Sequence, residues 1–248
     1  MSGLEDKRSD YRAVINDALN IVDDVSEEKI HGQAIMYYEL GIALAKTPLS
    51  TSFFNKAFAT LKKAEEALLA SVGEKDSRTI EIQFVLAKYN RAKNYKTRAI
   101  KYYEHVIAII DDSIDTSHPY ELASRAALVD LYERKGQTEE ATQHCVAIGH
   151  MTPWNDNLEP TPLFRKNPEY PLSAARRNVN GWVVLSFDIS KTGFVKNISM
   201  LEENGGNSFV KESIEAVEKW RYAPKIVDGK ATIAKNNKVR LDFTMSKS

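Results

Sequence analysis

The spacing of hydrophobic residues changes once along the chain, from a helical period to an extended one. Through residues 9–151, apolar residues recur three and four positions apart, as on one face of an α-helix, beginning with an amphipathic segment at 9–24. After residue 180, apolar and polar residues alternate instead, so that Val183, Leu185, Phe187 and Ile189 share one face of a predicted strand. The pattern predicts an all-α part followed by a small α+β part with an antiparallel sheet.

The helical part repeats itself every 42 residues. Alanine recurs at positions 57, 99 and 141, and leucine recurs at positions 44, 86 and 128. A repeated all-helical unit of this length predicts stacked helix pairs, with small residues where two helices approach closely. Breaks at residues 47–50, 72–77, 115–119 and 135–138 divide this part into about seven helices.

These repeats resemble tetratricopeptide (TPR) repeats, particularly the longer 42-residue variety, over residues 31–150. The resemblance rests on the recurring alanine and on the turn segments 93–99 and 135–141. It implies a helical-hairpin solenoid whose concave groove binds a peptide or another protein.

The C-terminal part reads as a hairpin, a helix and a last strand. Residues 190–193 are a predicted hairpin loop, residues 194–201 its return strand, and residues 208–219 an amphipathic helix. In the last strand, four residues are predicted to face the core: Val239, Leu241, Phe243 and Met245. The residues between them, Lys238, Arg240, Asp242 and Thr244, are predicted to face outward, as in a sheet covered on one side only.

Proline and charge both place a boundary between these parts. Five of the eight prolines lie between residues 153 and 171. Residues 1–160 carry 19 Lys and Arg against 25 Asp and Glu, whereas residues 161–248 carry 15 against 9. We therefore predict a helical-repeat domain at 1–151, a proline-containing linker at 152–168 and an α+β domain at 169–248. Trp154, Leu163 and Phe164 give the linker apolar groups to bury.

Candidate chemistry is sparse. The sequence contains no P-loop, no GxSxG elbow, no kinase loop and no dinucleotide-binding glycine pattern, so we predict that the protein is not an enzyme and needs no cofactor. His144, Cys145 and His150 lie close together, but zinc needs three or four convergent ligands, and the repeat register gives Cys145 a core position. The mild charge split does not favour nucleic acid, and no run of about eighteen apolar residues could span a membrane.

Four motifs of the C-terminal part occur in the order found in one known family. They are Tyr170-Pro171, Gly181-Trp-Val, Gly193-Phe-Val and Trp220-Arg-Tyr-Ala-Pro224, and together they span about residues 169–246. In this order the segment resembles the C-terminal domain of TonB.

The resemblance implies a function in protein–protein contact. In that family the domain lies in the periplasm and couples a proton-driven inner-membrane motor to outer-membrane receptors, whose short TonB box pairs with an exposed strand of the domain. The mode is β-strand addition, in which main-chain hydrogen bonds join the two chains. Transferred to this chain, the partner-binding residues are Lys238, Val239, Arg240, Leu241, Asp242, Phe243, Thr244 and Met245, together with Tyr222 and Pro224.

Residues of the Trp-Arg-Tyr-Ala-Pro motif can also have a purely structural role, and that role differs from residue to residue. Trp220 continues the apolar stripe of the predicted helix and is expected in the core. Arg221 is expected on a solvated face. Tyr222 suits either a core or a contact position, since a half-buried tyrosine serves both.

The chain also departs from the family pattern, which leaves two functions open. Helical repeats stand where the family has a membrane anchor and a proline-rich spacer, and residues 1–8 lack the apolar core of a signal peptide. The first hypothesis is a periplasmic transport protein, with its targeting or anchor segment outside this sequence, that binds receptors through the last strand. Its repeats would bind an inner-membrane motor or another TonB-system protein. The alternative is a non-transducing adaptor or scaffold. The open strand also suits a homodimer.

Overall fold

The computed structural model describes residues 2–25, 30–46, 51–111, 118–152, 154–155 and 157–245, without the side chains of residues 2–12 and 51–53. Two compact units emerge from the backbone contacts, Met1–Glu121 and Leu122–Ser248. The second unit therefore combines the last helices of the repeat region with the C-terminal sheet. The sequence-based boundaries at 151 and 168 stay a prediction.

The first unit is helical. Its helices are α1 (Ser2–Asp23), α2 (Ile30–Lys46), α3 (Thr51–Ser71), α4 (Ser77–Ala92) and α5 (Lys96–Asp111). The most extensive packing joins α2 to α3 and α4 to α5, and α3 also packs on α4. Asp76 caps α4 by accepting a hydrogen bond from the backbone N–H of Arg78 at 2.9 Å. This is the arrangement of consecutive TPR-like helical hairpins.

The 42-residue register corresponds to buried positions in every pair. Leu44, Leu86 and Leu128 lie in the first helix of a pair, and all three are buried. The alanines at 57, 99 and 141 lie in the second helix of a pair and are buried as well. Small and large apolar residues recur because each pair repeats the same helix contact. The predicted breaks at 47–50 and, in large part, at 115–119 lie outside the described residues.

The second unit begins with a helical pair. Helix α6 (Pro119–Glu133) starts in the first unit and continues into this one, and α7 (Thr138–Met151) follows the predicted glycine turn. Val129, Cys145 and Ile148 form a small core between α6 and α7, against which Leu163 and Phe164 of the predicted linker pack. That part of the linker is thus fixed to the helices.

The rest of the second unit is a small α+β fold. A short helix, α8 (Leu172–Ala175), precedes strands β1 (Gly181–Ile189) and β2 (Val195–Asn204). Helix α9 (Asn207–Val217) and strands β3 (Lys225–Val227), β4 (Lys230–Thr232) and β5 (Ala234–Phe243) complete it. One sheet has the order β2-β1-β5, antiparallel throughout, and β3 pairs with β4 in a separate ribbon. Helix α9 packs on β1 and β2.

The burial pattern along the central strand β1 shows that one face of the sheet is covered. Its odd-numbered residues are buried and its even-numbered residues half-buried, so Val183, Leu185, Phe187 and Ile189 lie in the core as predicted. The predicted fold class, helical hairpins followed by an α+β domain with an antiparallel sheet, is confirmed. No helix in the described part of the chain is both long and apolar enough to cross a membrane.

Several elements differ from the prediction, among them the short helix α8, which the sequence pattern did not predict. Strand β2 continues to Asn204 instead of ending at Leu201, because β1 is long enough to pair with all of it. The hairpin of β3 and β4 was not predicted, although its turn, Asp228-Gly229, is a typical two-residue hairpin turn with φ of 48° and 71°. The strands on either side of this turn have only three residues each, too few to show an alternation of apolar and polar residues.

Candidate functional site

Strand β5 lies at the edge of the three-stranded sheet, and among the described strands it pairs with β1 alone, on its inner side. Along β5, Leu241 and Phe243 are buried and Val239 is half-buried, whereas Lys238, Arg240 and Asp242 are exposed. The inner residues lie opposite Leu185, Val183 and Gly181 of β1. The residues from 238 to 243 therefore alternate as predicted, beside a backbone edge that can accept another strand.

The predicted edge is two residues too long. Strand β5 ends at Phe243, and Thr244 and Met245 follow it as exposed residues outside the sheet. The prediction that Met245 faces the core is wrong, since its side chain is 42% exposed. The backbone N–H of Met245 donates to Oδ1 of Asn180 at 3.2 Å, in place of a ladder hydrogen bond to the backbone of β1.

The outer face of the sheet carries a cation beside an aromatic ring. The guanidinium carbon of Arg240 lies 4.4 Å from the centre of the Trp182 ring, and Nε of Arg240 donates to Oδ1 of Asp242 at 2.9 Å. Both members of the ion pair are more than half exposed, so water screens it and its stabilising effect is small. The arrangement instead places charge and an aromatic surface next to the free edge.

Trp220 is in the core, as expected. Its side chain is buried among the apolar residues under the sheet, and its indole Nε1–H donates to the carbonyl of Lys166 at 2.8 Å. The guanidinium of Arg165 lies 4.7 Å from the centre of the indole ring. Trp220 thus ties the segment before α8 to the core.

Arg221 is the main correction to the sequence analysis. It was expected on a solvated face, but only 1% of its side chain is exposed. Its guanidinium forms an ion pair with Glu133 of α6 and donates to Oγ1 of Thr142 in α7 at 2.7 Å and to the carbonyl of Thr192 at 3.1 Å. It also lies 3.7 Å from the centre of the Phe194 ring. A charge this deep is tolerated because ion pairing and hydrogen bonds replace water.

The backbone of Arg221 makes further connections. Its N–H donates to the carbonyl of Phe164 at 3.0 Å, and its carbonyl accepts from the N–H of Leu163 at 2.7 Å. Arg221 therefore fastens the C-terminal domain to the helices α6 and α7 and to the predicted linker. No sequence signal could have revealed this, because Glu133 lies 88 positions away and no repeat or motif relates the two.

Tyr222 and Pro224 are both buried and do not lie along the free edge. The Tyr222 N–H donates to the carbonyl of Gly193 at 2.9 Å, where Gly193 adopts φ of +81°. A Cβ on Gly193 would lie 2.1 Å from the carbonyl oxygen of Tyr222, so only glycine allows this approach. Burial also raises the pKa of the Tyr222 hydroxyl. Tyr222 and Pro224 as partner contacts stay a prediction, which their burial disfavours.

Of the three residues His144, Cys145 and His150 in α7, Cys145 belongs to the core, and His144 is half-buried. Burial raises the pKa of the Cys145 thiol to about 12, which leaves it unreactive at neutral pH. Burial, aided by the nearby charge of Arg125, lowers the pKa of His144 to about 4. His150, by contrast, is exposed. Within the described ranges, no three His, Cys, Asp or Glu side chains are grouped to hold a metal ion.

Comparison with known proteins gives matches over the C-terminal part. Residues 166–245 match the family model described as the Gram-negative bacterial TonB protein C-terminal. Protein TonB of Escherichia coli (strain K12) is 35% identical over 65 residues, which cover 26% of this chain and 27% of that protein. Protein TonB of Pseudomonas aeruginosa is 35% identical over 69 residues, which cover 28% of this chain and 20% of that protein. This chain thus spans about a quarter of the length of these relatives.

Two solved structures resemble parts of the chain. The solution NMR structure of the Pseudomonas aeruginosa TonB CTD is 30% identical and covers 40% of this chain and 98% of that chain, with a TM-score of 0.33. The crystal structure of BtubC (BKLC) from P. vanneervenii is 15% identical and covers 64% of this chain and 63% of that chain, with a TM-score of 0.45.

The sheet with its free edge, the four motifs in order and the family match refer to the same stretch of sequence. The resemblance predicted from those motifs is confirmed: residues 166–245 form a domain of the TonB C-terminal family, preceded by TPR-like helical hairpins.

Proposed function

We propose that this protein takes part in TonB-dependent transport at the bacterial outer membrane, as a non-catalytic periplasmic protein. Its C-terminal domain would bind an extended segment of an outer-membrane receptor along β5. The supporting observation is that β5 lies at the edge of the sheet, with its inner side paired and its outer side open, in a domain that matches the TonB C-terminal family.

The chemistry of the edge suits strand addition. Residues 238–243 offer about six residues of extended backbone, enough for several main-chain hydrogen bonds to an incoming strand. The outward side chains of Lys238 and Arg240 and the ring of Trp182 would select the partner's side chains, because they lie next to the path of the added strand.

An NMR titration of the full chain with a synthetic TonB-box peptide tests this proposal. The amides of residues 238–243 should shift, whereas the amides of β2, the opposite edge of the same sheet, should keep their positions. The amides of β2 serve as the control for those of β5 in the same spectrum, because both strands pair with β1. Equal shifts at both edges, or no shift at either, would contradict receptor binding along β5.

The helical part would bind a second protein, such as an inner-membrane motor component or another protein of the transport system. Supporting this, a cavity of about 260 Å³ opens in the first unit beside α2 and α4, lined by apolar and charged residues including Ile42, Phe84, Lys88, Tyr89 and Tyr120. A crosslinking photoprobe at Lys88, introduced in cells that make the whole transport system, should capture one defined protein. The same probe at the exposed Lys101 is the control.

Two further experiments address the alternative function as a scaffold and the homodimer that the open strand suits. A scaffold without a transport role would bind its partners, yet its removal from cells would leave receptor-dependent uptake unchanged. A homodimer through the sheet edge would show concentration-dependent sedimentation, together with shifts at β5 in the absence of peptide.

A further inference from the structure

Helix α1 packs on the helical hairpins through one of its sides. Val22 is buried in the core of the first unit, and Ile15 packs against that core. The side chain of Gln33 in α2 donates to the carbonyl of Val22 at 2.9 Å. Lys63 in α3 donates to Oδ1 of Asp23 at 2.7 Å. This inner side of α1 is therefore fixed to α2 and α3.

A second apolar stripe of α1 faces solvent. Val14 is 65% exposed and Ile21 is 62% exposed, the highest values among the large apolar side chains described in the first unit. Ala18 lies between them and is half-buried. With 3.6 residues per turn, the three positions lie within about 60° of one another around the helix axis. We call Val14, Ala18 and Ile21 the outer stripe.

An exposed apolar stripe is unexpected at the end of a helical-repeat array. Each helix pair is covered by the next one, and the terminal repeat needs a polar outer face. Helix α1 is the first helix in the described part of this chain, yet it presents two β-branched side chains to water. The spacing of the outer stripe, four residues and then three, is that of the apolar seam between two helices of a coiled coil. The outer stripe therefore suits contact with another helix.

Acidic residues flank the outer stripe on one side. Asp17 and Asp24 are exposed, and within the described ranges neither carboxylate has a hydrogen bond or an ion pair. Asp10 lies seven positions before Asp17, so aspartate recurs at the heptad interval along the sequence. Carboxylates beside an apolar seam are complementary to Lys or Arg on the facing helix and repel anionic lipids. The flank therefore favours a basic helix over a membrane surface.

We propose that the outer stripe of α1 binds an amphipathic helix of a partner protein. The partner helix carries apolar residues at alternating spacings of three and four, with Lys or Arg beside them to face Asp17 and Asp24. A second copy of this chain fits less well, because an antiparallel pair would bring two rows of aspartate together. This surface is separate from β5 and from the cavity beside α2 and α4, so the inference goes beyond the proposed function.

Three labelled helical peptides of about 20 residues test the inference by fluorescence anisotropy with the full chain. The first has a leucine seam flanked by lysines, the second has the same seam flanked by glutamates, and the third has an alanine seam flanked by lysines. At low salt the first should bind about tenfold more tightly than the third, because the third lacks the apolar contact. It should bind about fivefold more tightly than the second, because the glutamates face Asp17 and Asp24.

Variants of the outer stripe assign the apolar contact. The double variant Val14→Gln with Ile21→Gln should weaken binding of the leucine–lysine peptide about tenfold, while circular dichroism shows unchanged helix content, because both side chains are exposed and glutamine is a good helix former. The matched control, Leu158→Gln with Leu172→Gln, replaces two apolar side chains of similar exposure, 67% and 75%, and should leave this binding unchanged.

Variants of the acidic flank assign the charge preference. Asp17→Asn with Asp24→Asn should bring the leucine–lysine and leucine–glutamate peptides to within about twofold of each other. The control, Glu202→Gln with Glu218→Gln, removes two exposed carboxylates from β2 and from the end of α9 and should preserve the difference.

Four results would overturn the inference. The first is that no peptide binds, and the second is that binding survives the change of Val14 and Ile21. The third is equal affinity for the lysine and glutamate peptides with the unaltered chain. The fourth is a dimer of the chain alone in sedimentation that the same double variant dissociates, which would make a second copy the occupant. None of these results bears on receptor binding along β5, which the titration of residues 238–243 tests by itself.

Discussion

The edge strand β5 and the Trp220–Pro224 segment belong to the same domain, and both belong to the recognisable pattern of the family, yet their surroundings are opposite. Residues 238–243 have one paired side and one open side, with three exposed side chains. In the Trp220–Pro224 segment, Trp220, Arg221, Tyr222 and Pro224 are all buried. A motif thus marks residues that matter for a family, whereas burial distinguishes those that hold the fold from those that can bind.

The comparison predicts that substitutions in the two regions have different consequences. Changes in the buried segment should lower the free energy of unfolding, because its side chains are surrounded by protein. Changes at the outward positions of β5 should leave stability nearly unchanged and alter binding.

Replacing Arg221 with Met should have the largest effect. It leaves the mostly buried carboxylate of Glu133 without its cation, which should lower the free energy of unfolding by about 3–5 kcal/mol. Urea denaturation of the full chain, followed by tryptophan fluorescence, measures this. Adding Glu133→Gln should recover part of the loss, because the unpaired charge is then gone.

The matched control is Arg240→Met on β5, which breaks an exposed ion pair and should cost less than about 1 kcal/mol. Equal losses for the two arginine variants would show that the buried and exposed regions do not differ as the structure indicates.

Gly193→Ala should be next in size. It combines a positive φ with a Cβ placed 2.1 Å from the carbonyl oxygen of Tyr222, and should lower the free energy of unfolding by roughly 2–4 kcal/mol. Gly229→Ala separates the two causes, since Gly229 has φ of +71° but open space around it, and should cost only about 1–2 kcal/mol. The same denaturation experiment decides between them, and similar losses would mean that the contact with Tyr222 is unimportant.

Acid should weaken the buried region through His144. Its pKa of about 4 in the folded chain lies below the ordinary value of 6.5, so protons bind the unfolded chain more readily. The stabilisation is fully present above pH 6.5 and is lost as the pH falls toward 4, by about 2 kcal/mol between pH 7 and pH 5. Unfolding measured at both values tests this, and His144→Gln should remove that part of the pH dependence. An unchanged dependence in the variant would assign it to other groups.

The smallest effect is expected just beyond β5. Replacing both Thr244 and Met245 with Ala should change the free energy of unfolding by less than about 0.5 kcal/mol and leave peptide affinity unaltered, because neither residue lies in the strand. Replacing Lys238 and Arg240 with Ala should also preserve stability but weaken peptide binding several-fold. A loss of binding in the first pair as large as in the second would extend the edge to residue 245, as the sequence alone suggested.

Local periodicity was enough to predict several features of this fold. The 42-residue register identified the buried leucines and alanines of the helix pairs, because each pair repeats the same packing contact. The two-residue alternation gave the core face of β1 and the inward residues of β5 up to Phe243. Four motifs in order were enough to recognise the C-terminal domain, whose residues 166–245 match the family model.

Which of these residues are accessible, and what surrounds them, depends on contacts between segments that are distant in sequence. From the sequence, Arg221 is expected at the surface, but in the fold its guanidinium contacts Glu133 and Thr142, which are distant in sequence. Tyr222 and Pro224 are buried for the same reason, because distant segments pack against them. A cavity of about 570 Å³ likewise brings together residues near 158, 225 and 235. Periodicity reports a residue's position relative to its own helix or strand, whereas burial and charge pairing depend on which distant segments pack against it.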